Sequence, residues 1–206
     1  MNQQVTAAII AGGKGERIGG QDKGWLEVNG QPMIEWILQS IAPQVPHIII
    51  NANRNLKRYQ QYQFPVITDP VNDFSGPLAG ISAVMKAAQT DYILTLPCDT
   101  PKVSANLVER MWHTLIANHA DIAIAHDGRR LQPMTALIAT RLLPSLEAFL
   151  AAGDRKVALW YRQQKWTQVD FSDQPDLFFN ANTEQQLKAM NTQPFRPDDS
   201  VKLPSP

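Results

Sequence analysis

Very little in this chain could join it covalently to itself or draw it to a surface by bulk charge. Its 206 residues contain one cysteine, Cys98. An internal disulfide is therefore excluded, and a reducing compartment is favoured. No charge of either sign is in excess: 19 Lys and Arg balance 19 Asp and Glu, for a formal net charge of +0. Bulk attraction to nucleic acid or to a membrane is thus not expected, and any anion must be met by a local site. Long hydrophobic runs are also missing. Apolar runs such as residues 7–11 and 47–50 fall far short of the roughly 20 that span a bilayer. The polar residues 1–6 lack the basic-then-apolar order of a secretory signal. The expectation from these absences is a cytoplasmic, soluble protein. With 44% hydrophobic and 18% charged residues, the chain is long enough to bury the core of one medium domain.

What is present is alternation. Short apolar runs at 5–10, 47–50, 66–68, 92–96, 121–125, 135–139 and 166–171 read as strands. Between them lie helical patterns. Residues 32–41 place Met33, Ile34, Ile37, Leu38 and Ile41 at helical spacing, with Pro32 suited to the first turn. Further helices are expected at 78–88, 105–118 with Ser104 as N-cap, and 142–151 with Gly153 as its stop. Thr183 and Gln186 form a capping box for a last helix ending at Met190. Strand–helix alternation of this kind implies an α/β fold: a three-layer α/β/α, Rossmann-like arrangement around a mostly parallel central sheet. Ligands bind such sheets beyond the C-terminal ends of the strands, so the informative residues should follow strands. One domain is expected over residues 1–191. Residues 192–206, Pro-rich and without apolar periodicity, read as a disordered tail.

The first strand runs directly into a glycine-rich loop, Ile10-Ala11-Gly12-Gly13-Lys14-Gly15-Glu16-Arg17-Ile18-Gly19-Gly20-Gln21-Asp22-Lys23. Its five glycines let backbone N–H groups approach an anion where a side chain would block the way. Lys14, Arg17 and Lys23 bring positive charge to the same loop. A triphosphate needs both features: backbone donors fix its oxygens, and cations offset its charge. The loop is not a P-loop, because Gln21-Asp22 stands where Lys-[Ser/Thr] is required. Nor is it the dinucleotide fingerprint, because Ile18 occupies the third glycine's position.

Ala-Gly-Gly, then Arg17, then Gly-x-Asp-Lys closing on Lys23 resembles the signature loop of nucleotidyltransferases. More narrowly, the chain is similar to the molybdenum cofactor guanylyltransferases over roughly residues 5–190. One departure is Ile18, where that family usually has Met, a swap of similar apolar volume. The resemblance implies transfer of GMP from GTP to molybdopterin, with release of pyrophosphate. It divides the domain into a nucleotide-binding half, about 1–100, and a molybdopterin-binding half, about 101–191. It implies GTP contacts at Ile10, Ala11, Gly12, Gly13, Lys23, Asn51, Asp69 and Asp99, with Lys23, Arg17 and Asp99 carrying catalysis. It places Gly76, Gly80, Arg155, Lys156, Asn180 and Asn182 on the molybdopterin side. The implied metal is Mg²⁺, with Mn²⁺ able to replace it. The implied partners are cofactor-delivery proteins and acceptor molybdoenzymes around a monomer, with no nucleic acid and no membrane.

Each residue also has an ordinary reading. Asp99, in Pro97-Cys98-Asp99-Thr100-Pro101 at a strand end, suits a hard oxygen-seeking cation but equally a turn cap. Asn51 could form an Asx turn, and Asp69 a turn before Pro70. Guanine's N–H donors would suit an amide or carboxylate oxygen at either position. Ser75-Gly76-Pro77 could be no more than a helix start, although such a start also admits anions. Arg155-Lys156 could be cations paired with a helix C-terminus. Cys98 has no histidine near it in sequence and reads as packing; the four histidines are scattered without metal-ligand spacing. Rival functions are a cytidylyl- or sugar-phosphate nucleotidyltransferase, or a non-catalytic nucleotide or cofactor carrier. A carrier has no use for a metal carboxylate, which is where Asp99 discriminates.

Overall fold

Six consecutive apolar or small residues, Val5–Ile10, are all buried and form strand β1. A strand buried on both faces belongs at the centre of a sheet with helices on each side. The computed structural model describes residues 2–12, 22–69, 76–180 and 184–191. After β1 come β2 (Glu27–Val28) and β3 (Gln31–Pro32), α1 (Met33–Ile41), β4 (His47–Asn51), α2 (Leu56–Gln60) and β5 (Val66–Ile67). Then follow α3 (Pro77–Ala87), β6 (Tyr92–Pro97), α4 (Leu107–Ala117), β7 (Ile122–His126) and β8 (Leu131–Ala139). The chain continues through α5 (Leu143–Ala151), α6 (Val157–Tyr161), β9 (Trp166–Asp170) and α7 (Glu184–Asn191).

The described residues build one seven-stranded sheet in the order β5-β4-β1-β6-β8-β7-β9, beside a two-stranded β2–β3 ribbon. β5, β4, β1 and β6 are parallel, and β9 pairs parallel with β7. Only β8, among the described strands of that sheet, runs antiparallel to its neighbours β6 and β7. The sheet is therefore mostly parallel, as expected. At the edge where β1, β4, β5 and β6 end, β8 begins.

Alternation along β1 splits the core. Val5, Ala7 and Ile9 face Ile34, Ile37 and Leu38 of α1, Tyr59 of α2 and Met111 of α4. Ala8 and Ile10 face Leu78 and Ile81 of α3, Phe149 of α5 and Trp160 of α6. That is the three-layer α/β/α arrangement, with apolar surface removed from water on both faces of the sheet.

Several boundaries differ from expectation for identifiable reasons. Pro32 ends β3 and caps α1 instead of sitting in its first turn. Helix α4 starts at Leu107, not Ala105, and Ser104 is not its side-chain cap. The Val108 N–H is taken instead by Oε1 of the buried Gln44 at 3.1 Å, whose Nε2 donates to the Ser104 carbonyl at 2.8 Å. A tertiary contact has replaced the local one. β8 begins at Leu131, four residues before the expected start. Its register with β7 jumps from Ile124↔Ala136 to Ala125↔Gln132, leaving Pro133, Met134 and Thr135 bulged out of the ladder. Helices α2 and α6, five residues each, were not anticipated. Gly153 does stop α5, at φ 92°. Thr183, the proposed capping residue, and residues 192–206 lie outside the described residues.

Candidate active site

A cavity of about 670 Å³ opens where β1, β4, β5 and β6 end. Ile10, Ala11, Gly12, Asn51, Asp69 and Pro97–Thr100 line one wall, with Gly76, Pro77 and Gly80 from the start of α3. Arg130–Thr135, Phe178 and Asn180 line the other. The first wall gathers residues that stand at or just beyond the ends of neighbouring parallel strands.

Lys23 Nζ donates to Asp99 Oδ2 at 2.7 Å, joining the end of the glycine-rich loop to the end of β6. Their side chains are 22% and 14% exposed, so water screens this pair less than a surface one. Lys23 is held in place by the residue before it. Asp22 is buried and accepts from Tyr59 Oη at 2.7 Å, Asn55 Nδ2 at 3.0 Å and Gly24 N at 3.3 Å. Burial, with the nearby Cys98 and the Asp22 carboxylate, pushes the Tyr59 phenol well up, so it remains a neutral donor. A side chain on Gly24 would lie 2.6 Å from that hydroxyl. Cys98 beside Asp99 is buried, and burial pushes its thiol far up, with Asp99 adding to the effect. It is a packing residue, as its sequence context implied.

Asp69 is fixed by two asparagines. Asn51 Nδ2 donates to its Oδ1 at 2.8 Å and Asn53 Nδ2 to its Oδ2 at 2.7 Å, while Asp69 N donates to Asn53 Oδ1 at 2.9 Å. The second donor of Asn51 reaches the Ile67 carbonyl at 3.4 Å. Asn51 is fully buried, and its Oδ1 has no hydrogen-bond partner among the described residues. Glycines flank it: a Cβ on Gly80 would lie 2.2 Å from that oxygen, and one on Gly12 at 3.2 Å. The Gly80 Cα–H therefore points at the oxygen, a weak contact only. Gly80 thus sits under the Asn51–Asp69 array. Gly76 has φ +79° at the N-cap of α3, a conformation that favours glycine.

The opposite wall is less regular. Thr100 Oγ1 lies 3.1 Å from Asn180 Oδ1 and 3.5 Å from Asp99 Oδ1, so it links the two walls. The Pro133 carbonyl in the β8 bulge accepts from Tyr161 Oη at 3.0 Å. Phe178 packs edge-on against Phe171, with ring centroids 5.8 Å apart, and Arg110 lies 4.2 Å over the Phe171 ring. Arg155 and Lys156 are exposed and absent from the cavity wall. Arg155 Nη1 instead donates to the carbonyls of Leu150 at 2.7 Å and Asp154 at 2.8 Å. That matches a cation at a helix C-terminus. Its own carbonyl, not its guanidinium, approaches Gly76. Gly13, Arg17 and Asn182 lie outside the described residues.

The sequence reading missed Asp22 as an anchor, Asn53, Tyr59, Thr100 and the whole stretch Arg130–Thr135. Asn53 had a signal: it stands two residues past Asn51, so along an extended segment both face the same side. Thr100 adjoins Asp99. The β8 stretch had none, because its position depends on strand direction and a bulge. The chemistry of this donor set fits a magnesium ion held mainly by substrate oxygens. One carboxylate faces the cavity from β6, and among the described residues no group of three or more His, Cys, Asp or Glu could cage a metal.

This fold has known counterparts. The family described as the MobA-like NTP transferase domain matches residues 7–168, and the chain belongs to that family. Curated relatives named molybdenum cofactor guanylyltransferase include one from Shewanella putrefaciens, 48% identical over 183 residues, or 89% of this chain and 94% of the relative. Another, from Vibrio cholerae serotype O1, is 48% identical over 179 residues, 87% of each chain. Among solved structures, molybdopterin-guanine dinucleotide biosynthesis protein A from Archaeoglobus fulgidus superposes with a TM-score of 0.75 at 24% identity, covering 90% of this chain and 96% of that one. No helix among the described residues is long and apolar enough to cross a membrane.

Proposed function

We propose that this chain transfers GMP from GTP to molybdopterin, forming molybdopterin guanine dinucleotide and releasing pyrophosphate. The observation that carries the reading is the juxtaposition in one cavity of a carboxylate fixed by Asn51 and Asn53, at Asp69, with the Lys23–Asp99 pair. Asp69 presents fixed acceptors to the N–H edge of guanine. The names of the curated relatives agree with it.

The acceptor's ionised phosphate attacks the α-phosphorus of GTP in line. A new P–O bond forms as the α–β bridging bond breaks, and its electron pair leaves on pyrophosphate. Because that phosphate is already a nucleophile, no strong general base is needed, and catalysis is positioning plus charge stabilisation. A phosphate charge about 4 Å from Asp99 would be repelled by roughly 4 kcal/mol at an effective dielectric near 20. Lys23 balances that carboxylate, and a Mg²⁺ or Mn²⁺ held at Asp99 would supply Lewis-acid neutralisation of the triphosphate's own charge. The Ile10–Gly13 backbone and Arg17 hold the triphosphate. Asn180 and Asn182 hold the pterin side.

The test is pyrophosphate release with GTP, CTP, ATP and UTP, with and without molybdopterin and with and without Mg²⁺. Release is expected only with GTP, molybdopterin and the metal together. Equal release with CTP would overturn guanine selection. No molybdopterin-dependent release would overturn the transfer.

A further inference from the structure

The structure assigns Arg130, at the tip of the β7–β8 hairpin, as the contact for the phosphate of the acceptor, an assignment that rests on the transfer proposed above. A phosphate nucleophile must be held in the cavity by a cation, and the choice of cations there is narrow. Among the described residues, Lys23 and Arg130 are the ones lining the cavity. Lys23 is committed to Asp99 at 2.7 Å. The side chain of Arg130 is 75% exposed, and its one ion-pair contact among the described residues is Asp127, with Nε 3.9 Å from Oδ2. At 3.9 Å through Nε, with the arginine side chain largely in solvent, the carboxylate holds the guanidinium weakly, so most of its fork of donors remains available for a phosphate.

The backbone beneath Arg130 is fixed. Asp127 Oδ1 accepts from the N–H groups of Arg129 at 2.8 Å and Arg130 at 2.7 Å, and its Oδ2 from Gln132 Nε2 at 2.7 Å. Gly128 takes φ +90°, and a Cβ there would lie 2.9 Å from Ser172 Cβ. The turn is thereby pressed against the loop after β9. Just beyond it, the β8 bulge is anchored through Pro133 to Tyr161. The result is a mobile cationic head on a rigid stem, on the wall opposite Asp69. The adjacent pair Arg155-Lys156 does not line the cavity.

The experiment uses the full chain with Arg130→Ala, Arg130→Lys and, as a control for bulk charge, Arg129→Ala. Binding of molybdopterin is followed by anaerobic equilibrium dialysis without GTP, and KM for each substrate by pyrophosphate release. Arg130→Ala is expected to weaken molybdopterin binding and raise its KM about 10- to 100-fold, with the KM for GTP within twofold. Arg130→Lys should restore part of the loss, because the charge remains while the fork is gone. Arg129→Ala should match the wild type. The unfolding midpoint should hold in all three. Unchanged molybdopterin binding in Arg130→Ala would overturn the assignment, and so would an equal loss in Arg129→Ala. A wild type without molybdopterin-dependent release would overturn the transfer reading alone, and dialysis would still decide the role of Arg130.

Discussion

The two walls of the cavity are built differently. On one, Asn51, Asp69 and Asp99 stand at the ends of adjacent parallel strands, and each carboxylate is pinned by a short hydrogen bond or ion pair. On the other, the lining comes from the start of the antiparallel β8, its bulge and a hairpin tip carrying an exposed arginine. The first wall is set before any ligand arrives, so it can select a base and align a triphosphate at little reorganisation cost. The second has a fixed backbone but a movable head, which suits a bulky acceptor. Variants on the first wall should therefore act on turnover and on GTP, and variants on the second on the acceptor.

The hardest test of that contrast is Asp99→Ala. We expect kcat to fall by roughly 10³-fold, the several kcal/mol that a metal-bound carboxylate supplies to phosphoryl chemistry. The circular-dichroism spectrum should be unchanged. Full Mg²⁺-dependent turnover in the variant would remove Asp99 from the reaction.

Gly80→Ala comes next. Its methyl would sit 2.2 Å from Asn51 Oδ1 and 2.9 Å from Cγ, so the amide must turn away from Asp69. Overpacking of this kind costs about 1–3 kcal/mol of stability. The KM for GTP should rise about 10- to 100-fold while the KM for the acceptor moves little. The family resemblance put Gly80 on the acceptor side. If the acceptor KM rises instead, the contrast between the walls is drawn in the wrong place.

The same contrast decides what could be read from the sequence. Strands β1, β4 and β6 were legible because a run buried on both faces is continuously apolar. Asn51, Asp69 and Asp99 were singled out by the family resemblance, and their meeting at one edge follows because parallel strands deliver the residues that follow them to the ligand edge. That rule inverts for β8. An antiparallel strand delivers the residues that precede and open it, so residues 130–134 drew no reading and Thr135 was expected only as the start of a strand. Its direction is set by pairing with Tyr92–Thr95 of β6, a long-range fact with no local mark. Asp22 was quoted within a motif, but its anchoring role needed Tyr59 and Asn55, more than thirty residues away. The basic pair Arg155-Lys156 is visible in sequence, whereas the bonds of Arg155 to the carbonyls at the end of α5, and the place of both residues outside the cavity lining, are not.

A gentler probe of the second wall is Tyr161→Phe. It deletes the 3.0 Å bond to the Pro133 carbonyl, a neutral interaction that contributes about 0.5–1.5 kcal/mol. Burial pushes the Tyr161 phenol up, so the wild-type donor is neutral at any working pH. The acceptor KM should rise about two- to twelvefold, what so small a free energy converts to, with the GTP KM unchanged. A rise in both would mean that the bulge supports the whole cavity.

The smallest effect is expected at Asp127, and it is read by pH. Burial alone would raise this carboxyl. Donation from the Arg130 and Arg129 backbone N–H groups and the Gln132 amide, with the nearby Arg130 guanidinium, overcomes that and holds it below the ordinary carboxylate range. A group depressed on folding contributes stability above its unfolded pKa, about 3.9 for Asp, and loses that contribution as pH falls through the folded value. Asp127→Asn resembles the protonated acid. Its unfolding midpoint should therefore lie about 1–3 °C below that of the wild type at neutral pH, and the gap should close in acid as the wild type protonates. If the hairpin stem matters mainly as a platform for Arg130, the variant's acceptor KM should rise a few-fold at neutral pH while its GTP KM holds. A stability gap that does not shrink at all as pH falls below the ordinary carboxylate range would show that the carboxylate charge does not hold the turn, and the rigid stem beneath Arg130 would have to be sought in Gln132 and the contact between Gly128 and Ser172.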